Sequence, residues 1–136
     1  YNVGDLSETY WIIFGEGVAL LQKLKKDAEG KMIADEVEEF KAIPVKAGDE
    51  IFMSQEEGHL VVNTGKTYFV TADDSPVDVE ERDPASFPGH ADYELVKKMK
   101  GFAYYVVEHD GKPALKKNPL YKTIQKEDLG GLPVIH

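Results

Sequence analysis

A chain of 136 residues with 42% hydrophobic content is long enough for one domain with its own core. Its formal net charge of -9 offers nucleic acid no basic face and an anionic membrane surface no attraction. With no cysteine, disulfides, thiolate zinc sites and cysteine nucleophiles are excluded, so any metal must rest on His, carboxylate and water.

No apolar run approaches the ~20 residues of a membrane-spanning helix. No leader peptide is visible, and together with the missing cysteines this implies a cytoplasmic setting. Residues 1–7 form a polar opening. Residues 8–14 (ETYWIIF) are aromatic and β-branched, which predicts a strand. Alternation places Glu8, Tyr10, Ile12 and Phe14 on one face and Thr9, Trp11 and Ile13 on the other. Gly15-Glu16-Gly17 turns the chain into a returning strand at 18–24. A hairpin loop at 27–31 precedes a half-exposed, charge-bearing strand at 36–45. Short strands follow at 51–53, 60–63 and 67–71.

Residues 72–89 hold Pro76, Pro84 and Pro88 with many carboxylates and little periodicity, which predicts a long loop. Its acidic residues lack calcium-loop spacing and read as a solvated stretch. Residues 90–100 (HADYELVKKMK) predict the one helix, with Leu95, Val96 and Met99 on its apolar side and Gly101 as its C′ residue. Strands at 102–108 and 113–117 flank His109-Asp110-Gly111-Lys112, a hairpin sequence. His109 in that turn and the terminal His136 read as solvent-exposed. Many short strands at regular spacing mean an all-β barrel or sandwich.

One stretch carries chemistry beyond shape. In 48–63 (GDEIFMSQEEGHLVVN), His59 follows a Gly and opens an apolar strand. There its ring can point into a barrel and offer a neutral imidazole to a metal. The alternative is a hydrogen-bonded histidine at a barrel mouth.

These spacings resemble the cupin family. Its second motif runs from Gly through Pro-x-Gly-x-x-His to Asn. Gly48, His59 and Asn63 stand at those places, with Ser54 and Glu56 where Pro and Gly are usual. Its first motif ends in a Glu and a Gly at the spacing of Glu8 and Gly15. Within cupins the chain is most similar to the archaeal-type glucose-6-phosphate isomerases. The matching residues are ETYWIIFGEGVALLQ at 8–22, Gly89-His90-Ala91-Asp92-Tyr93, Lys100-Gly101, and Asn118-Pro119-Leu120-Tyr121-Lys122. The family's His-x-His pair is absent; counted back from Glu8 it falls at or before Tyr1. The pair is therefore expected upstream of Tyr1, or Tyr1 takes the place of its second member. The family's phosphate-holding segment also falls upstream.

The resemblance implies an all-β cupin β-barrel (double-stranded β-helix or jelly roll) with one short C-terminal helix and a hairpin. Residues 1–122 would be a single cupin domain and 123–136 a surface tail. It implies a divalent transition metal (iron, manganese, nickel or zinc) held by Glu8 and His59 as two of its ligands. A solvated strand-end carboxylate is the ordinary role for Glu8. On an otherwise apolar face, however, a carboxylate needs a partner, which the metal would supply. The implied reaction interconverts glucose 6-phosphate and fructose 6-phosphate, a step of glycolysis and gluconeogenesis. Glu8 and His90 would be catalytic, and Tyr10 and Tyr93 would bind substrate. The implied partners are a small-molecule sugar phosphate and a second copy of the chain, with Trp11 and Ile13 on an apolar outer face. Another metal-dependent cupin enzyme, or a non-catalytic sugar-binding cupin, are the alternatives.

Overall fold

Strand β3 (Glu16–Lys26) carries the unbroken apolar run Val18-Ala19-Leu20-Leu21. A strand with one wet face alternates; one covered on both faces does not. In the computed structural model of the chain, which describes residues 1–75 and 89–136 (the side chains of 89 and 90 excepted), every residue from 17 to 22 is buried. Ala19 and Leu21 enter one cluster with Ile12, Val45, Ile51 and Met53. Val18, Leu20 and Leu24 enter another with Val37, Phe40, Phe102, Tyr104 and Leu115.

Two sheets enclose the first cluster. One has four strands in the order β11 (Thr123–Asp128), β4 (Met32–Lys46), β3, β6 (Gly58–Asn63). The other has three, in the order β5 (Glu50–Met53), β2 (Glu8–Phe14), β7 (Val70–Asp73). The second cluster lies on the far side of the four-stranded sheet. It is covered by α1 (Glu94–Lys98) and by a small sheet of β12 (Val134–Ile135), β10 (Lys112–Lys117) and β9 (Tyr104–His109). A two-stranded ribbon of β1 (Asn2–Gly4) and β8 (Gly89–Ala91) completes the fold. This is the expected all-β, cupin-like barrel with one short helix and a hairpin. No helix among the described residues is long and apolar enough to cross a membrane.

Turn chemistry explains the connections. Asp110 (φ 51°) and Gly111 (φ 74°) both take left-handed angles, as a two-residue type I′ hairpin requires. At Gly15 the Tyr68 carbonyl oxygen lies 2.4 Å from where a Cβ would stand, and φ is +86°, so only Gly fits. Glu56 holds φ 68° where the family motif has Gly, and Lys26 pairs with its carboxylate.

Five expectations change. Phe14 is 52% exposed rather than lining the barrel, because the pairing with β7 shifts register between Ile12 and Phe14. Helix α1 spans five residues rather than 90–100. Gly89–Ala91 pairs with β1 instead, and that ladder competes with helix for the same backbone groups. The left-handed cap falls on Lys100 (φ 55°), not on Gly101. Gly101 N–H donates to Val96 O and Lys100 N–H to Lys97 O, a Schellman closure. The strand expected at 67–71 starts at Val70, because Asn63 Nδ2 donates to Thr67 O and holds the preceding loop out of the ladder. Residues 123–136 are more than a loose tail. β11 runs parallel to β4, β12 runs parallel to β10, and Ile124, Leu129, Leu132 and Val134 pack against the core. The expected acidic loop keeps Asp73 in β7 and Asp74 just beyond; residues 76–88 lie outside the described part. His109 and His136 are exposed, as read.

A buried polar network locks the C-terminal half to β3. Gln22 Nε2 donates to Tyr1 Oη (2.5 Å) and Tyr121 Oη (3.1 Å), and Gln22 Oε1 accepts from Ala103 N–H at 2.8 Å. Burial raises the Tyr1 and Tyr121 phenols. Tyr104, which donates to Glu127 Oε2 at 2.8 Å, is pushed up to about 12 by burial and by that carboxylate. Each phenol ionises later in the fold than in the unfolded chain, where the ordinary value is 10.0. Their contribution to stability is therefore complete below about pH 10 and is lost as pH rises toward about 12. We expect thermal melts that hold steady up to about pH 10 and then fall, with late tyrosinate absorbance coinciding with unfolding. A tyrosinate titration that finishes near pH 10 in the folded protein would contradict this.

Candidate active site

Glu8 opens β2 opposite Met53, and Tyr10 stands opposite Ile51. Residues directly opposite on antiparallel strands share a face, so Glu8 and Tyr10 point where Met53 and Ile51 point, into the barrel. His59 is the second residue of β6 and stands opposite Leu21, which also faces inward. The two sheets thus deliver a carboxylate and an imidazole to the same interior space.

They meet there. His59 Nε2 lies 3.3 Å from Glu8 Oε2, and the Glu8 side chain is only 7% exposed. Glu8 Oε1 accepts a hydrogen bond from the Ser75 hydroxyl. Among the described residues, Glu8 Oε2 and His59 Nδ1 are buried without a hydrogen-bond partner. The Tyr10 ring meets the His59 ring edge-on at 5.2 Å and 74°. Burial lowers the His59 pKa and outweighs the opposing Glu8 charge, so the ring is neutral, the form that coordinates metals. Burial also raises the Tyr10 phenol, helped by the charges of Asp73 and Glu8.

A buried carboxylate normally needs an opposite charge or several donors. Among the described residues Glu8 meets one hydroxyl and a neutral ring, and its second oxygen accepts no hydrogen bond. Two donors bound to one ion at ~2.1 Å each stand about 3.0 to 3.4 Å apart, which the Glu8–His59 spacing matches. The pair therefore fits as two ligands of a divalent transition metal. Among the described residues no group of three or more His, Asp or Glu side chains forms a complete cage.

The other expected residues are placed as follows. Tyr10 stands beside the pair. Tyr93 is the N-cap of α1, with its ring 64% exposed, and adds a smaller push to the Tyr10 phenol. The His90 backbone pairs with Val3 in β8; its side chain lies outside the described part. Ser75 and Asp74 were not foreseen. Asp74 Oδ1 accepts from Thr9 N–H at 2.7 Å and pins the end of β7 to β2. The only signal in the sequence is Asp73-Asp74-Ser75, an Asx turn in which Ser75 N–H donates to Asp73 Oδ1 at 3.0 Å. Gly48 and Asn63, the other motif residues, make turns: Gly48 has φ +95°, and Asn63 Oδ1 accepts from Gly65 N–H at 3.0 Å.

A carboxylate from one sheet facing an imidazole from the other inside an all-β, cupin-like barrel makes this pair the candidate site. The family model that matches the chain is Glucose-6-phosphate isomerase (GPI), over residues 3–122. A curated protein named Glucose-6-phosphate isomerase from Thermococcus kodakarensis is 31% identical over 118 residues, covering 87% of this chain and 50% of its own length. The chain belongs to the glucose-6-phosphate isomerase family. It spans about half the length of the curated relative it matches.

Proposed function

We propose that this protein interconverts glucose 6-phosphate and fructose 6-phosphate and depends on a divalent transition metal held in part by Glu8 and His59. The observation that carries this reading is the approach of Glu8 Oε2 to His59 Nε2 inside the barrel of a chain of this family. Aldose–ketose isomerisation takes a proton from carbon 2 of the aldose and returns one to carbon 1 through an enediol, while a proton passes from the oxygen on carbon 2 to the oxygen on carbon 1. Glu8 is the base that takes the proton and, as the acid formed, gives it back. A metal bound at the site would polarise the sugar oxygens and help hold the substrate. Tyr10 offers its phenol O–H to a sugar hydroxyl; a phenol is a donor at neutral pH, and burial only pushes its ionisation further from that range. His90 and Tyr93 are assigned to the pocket on family resemblance, where they would assist opening of the sugar ring.

The setting this implies is a cytoplasmic enzyme of glycolysis and gluconeogenesis acting on a small-molecule sugar phosphate. A homodimer is part of the proposal. Trp11, Ile13 and Phe52 are exposed on the outer face of the three-stranded sheet, an apolar patch suited to a second copy.

The test is metal content followed by turnover. The intact protein, purified without chelator or His-tag, should hold about one transition metal per chain. It should convert either hexose 6-phosphate to the other, and chelation should abolish turnover until metal is restored. His59→Ala should lose the metal. Failure to turn over either sugar after incubation with iron(II), manganese, nickel and zinc in turn would sink the reading, and sugar-binding screens would follow.

A further inference from the structure

We propose that Ser75 is a positioning residue for Glu8. It donates its hydroxyl to Oε1 and so leaves Oε2 aimed at His59.

Three contacts build this arrangement. Asp74 Oδ1 accepts from Thr9 N–H at 2.7 Å, tying the chain just beyond β7 to the residue after Glu8. In the Asx turn at Asp73, Ser75 N–H donates to Asp73 Oδ1 at 3.0 Å and fixes the Ser75 backbone against the end of β7. The Ser75 hydroxyl then reaches Glu8 Oε1, while Oε2 stands 3.3 Å from His59 Nε2. A carboxylate on Cγ can rotate about its last torsion, and that torsion is soft. Among the described residues the Ser75 hydroxyl is the one hydrogen-bond donor on Glu8 Oε1, so it holds the side chain's orientation. Removing it would free Glu8 to turn without changing what Glu8 is.

The proposal rests on the reading that Glu8 works in this site, and the experiment separates the two. Wild type, Ser75→Ala and Ser75→Thr would be compared by kcat and KM, by nickel affinity in chelator competition, and by crystal structures of the metal-free proteins. In Ser75→Ala, kcat should fall about tenfold to a hundredfold and nickel affinity by a similar factor, with KM for the sugar phosphate within about twofold. The Glu8 side chain should leave its wild-type rotamer in Ser75→Ala. Ser75→Thr, which keeps a hydroxyl, should restore all three readouts. An unmoved Glu8 with unchanged nickel affinity in Ser75→Ala would overturn the proposal, as would a Thr variant as impaired as the Ala variant. Wild type that binds nickel but isomerises neither sugar would sink the isomerase reading alone, and Ser75 would then be judged by affinity and rotamer. Wild type that neither binds nickel nor turns over would sink both.

Discussion

Glu8→Gln abolishes isomerisation and leaves the barrel folded. The expected loss in turnover is about 10²- to 10⁴-fold, the usual worth of a positioned general base, with the metal-ligand charge lost as well. Gln has the same shape, and its carbonyl oxygen can still accept from Ser75. The fold has no reason to suffer. Among the described residues Glu8 has one neutral hydrogen bond, and a carboxylate buried so is a cost to stability, so the melting temperature should hold or rise. Steady-state turnover and a thermal melt test the two halves together. A Gln variant retaining a tenth of wild-type turnover would remove Glu8 from the mechanism. Turnover by wild type in heavy water adds a check on the chemistry. Proton transfer through an enediol places solvent deuterium on the sugar carbon; complete absence of deuterium would assign the transfer to a hydride shift and take the base role from Glu8.

Asn118→Ala produces the largest expected loss of stability. Asn118 is 1% exposed and belongs to the Asn-Pro-Leu-Tyr-Lys stretch that carries the family resemblance past the barrel. Its Nδ2 donates to Met99 O at 2.8 Å and Phe102 O at 3.0 Å, and its Oδ1 accepts from Leu120 N–H at 3.0 Å. Ala leaves three buried or half-buried backbone groups without partners, which costs about 3 to 4 kcal/mol in all. For a domain of this size that is roughly 10 °C in melting temperature. The lesion lies in the lock between helix α1 and strand β10, so kcat below the new melting temperature should stay close to wild type. Denaturant unfolding gives the answer directly: a loss under about 1 kcal/mol would mean that these bonds are readily replaced.

The two predictions mark two kinds of information in the chain. Glu8 and His59 were visible as unusual residue types for their neighbourhoods, a carboxylate on an apolar face and an imidazole opening an apolar strand. Asn118 and Tyr121 were visible only through family resemblance. Their structural role could not be read locally, because their partners, Met99, Phe102 and Gly101, are backbone carbonyls that advertise nothing in sequence. Ser75 was missed for the same reason: a Ser in an acidic loop is ordinary until its neighbour is known.

By itself the sequence determined the all-β class, the inward set of β2 as far as Ile12, the returning strand at 18–24 and the Asp110-Gly111 hairpin. All of these depend on residues a few positions apart, through strand alternation and turn angles. Tertiary structure alone decided the rest. It shifted the register that turns Phe14 outward, drew Gly89–Ala91 into a ladder with β1 at the expense of helix, and laid β11 and β12 as parallel strands on distant partners. Parallel pairing carries no local turn signal, and register depends on which strand lies alongside. The meeting of Glu8 with His59 belongs to this second group. The two residues sit on different sheets, and only the packing of those sheets around Ile12, Leu21 and Met53 brings their side chains within 3.3 Å.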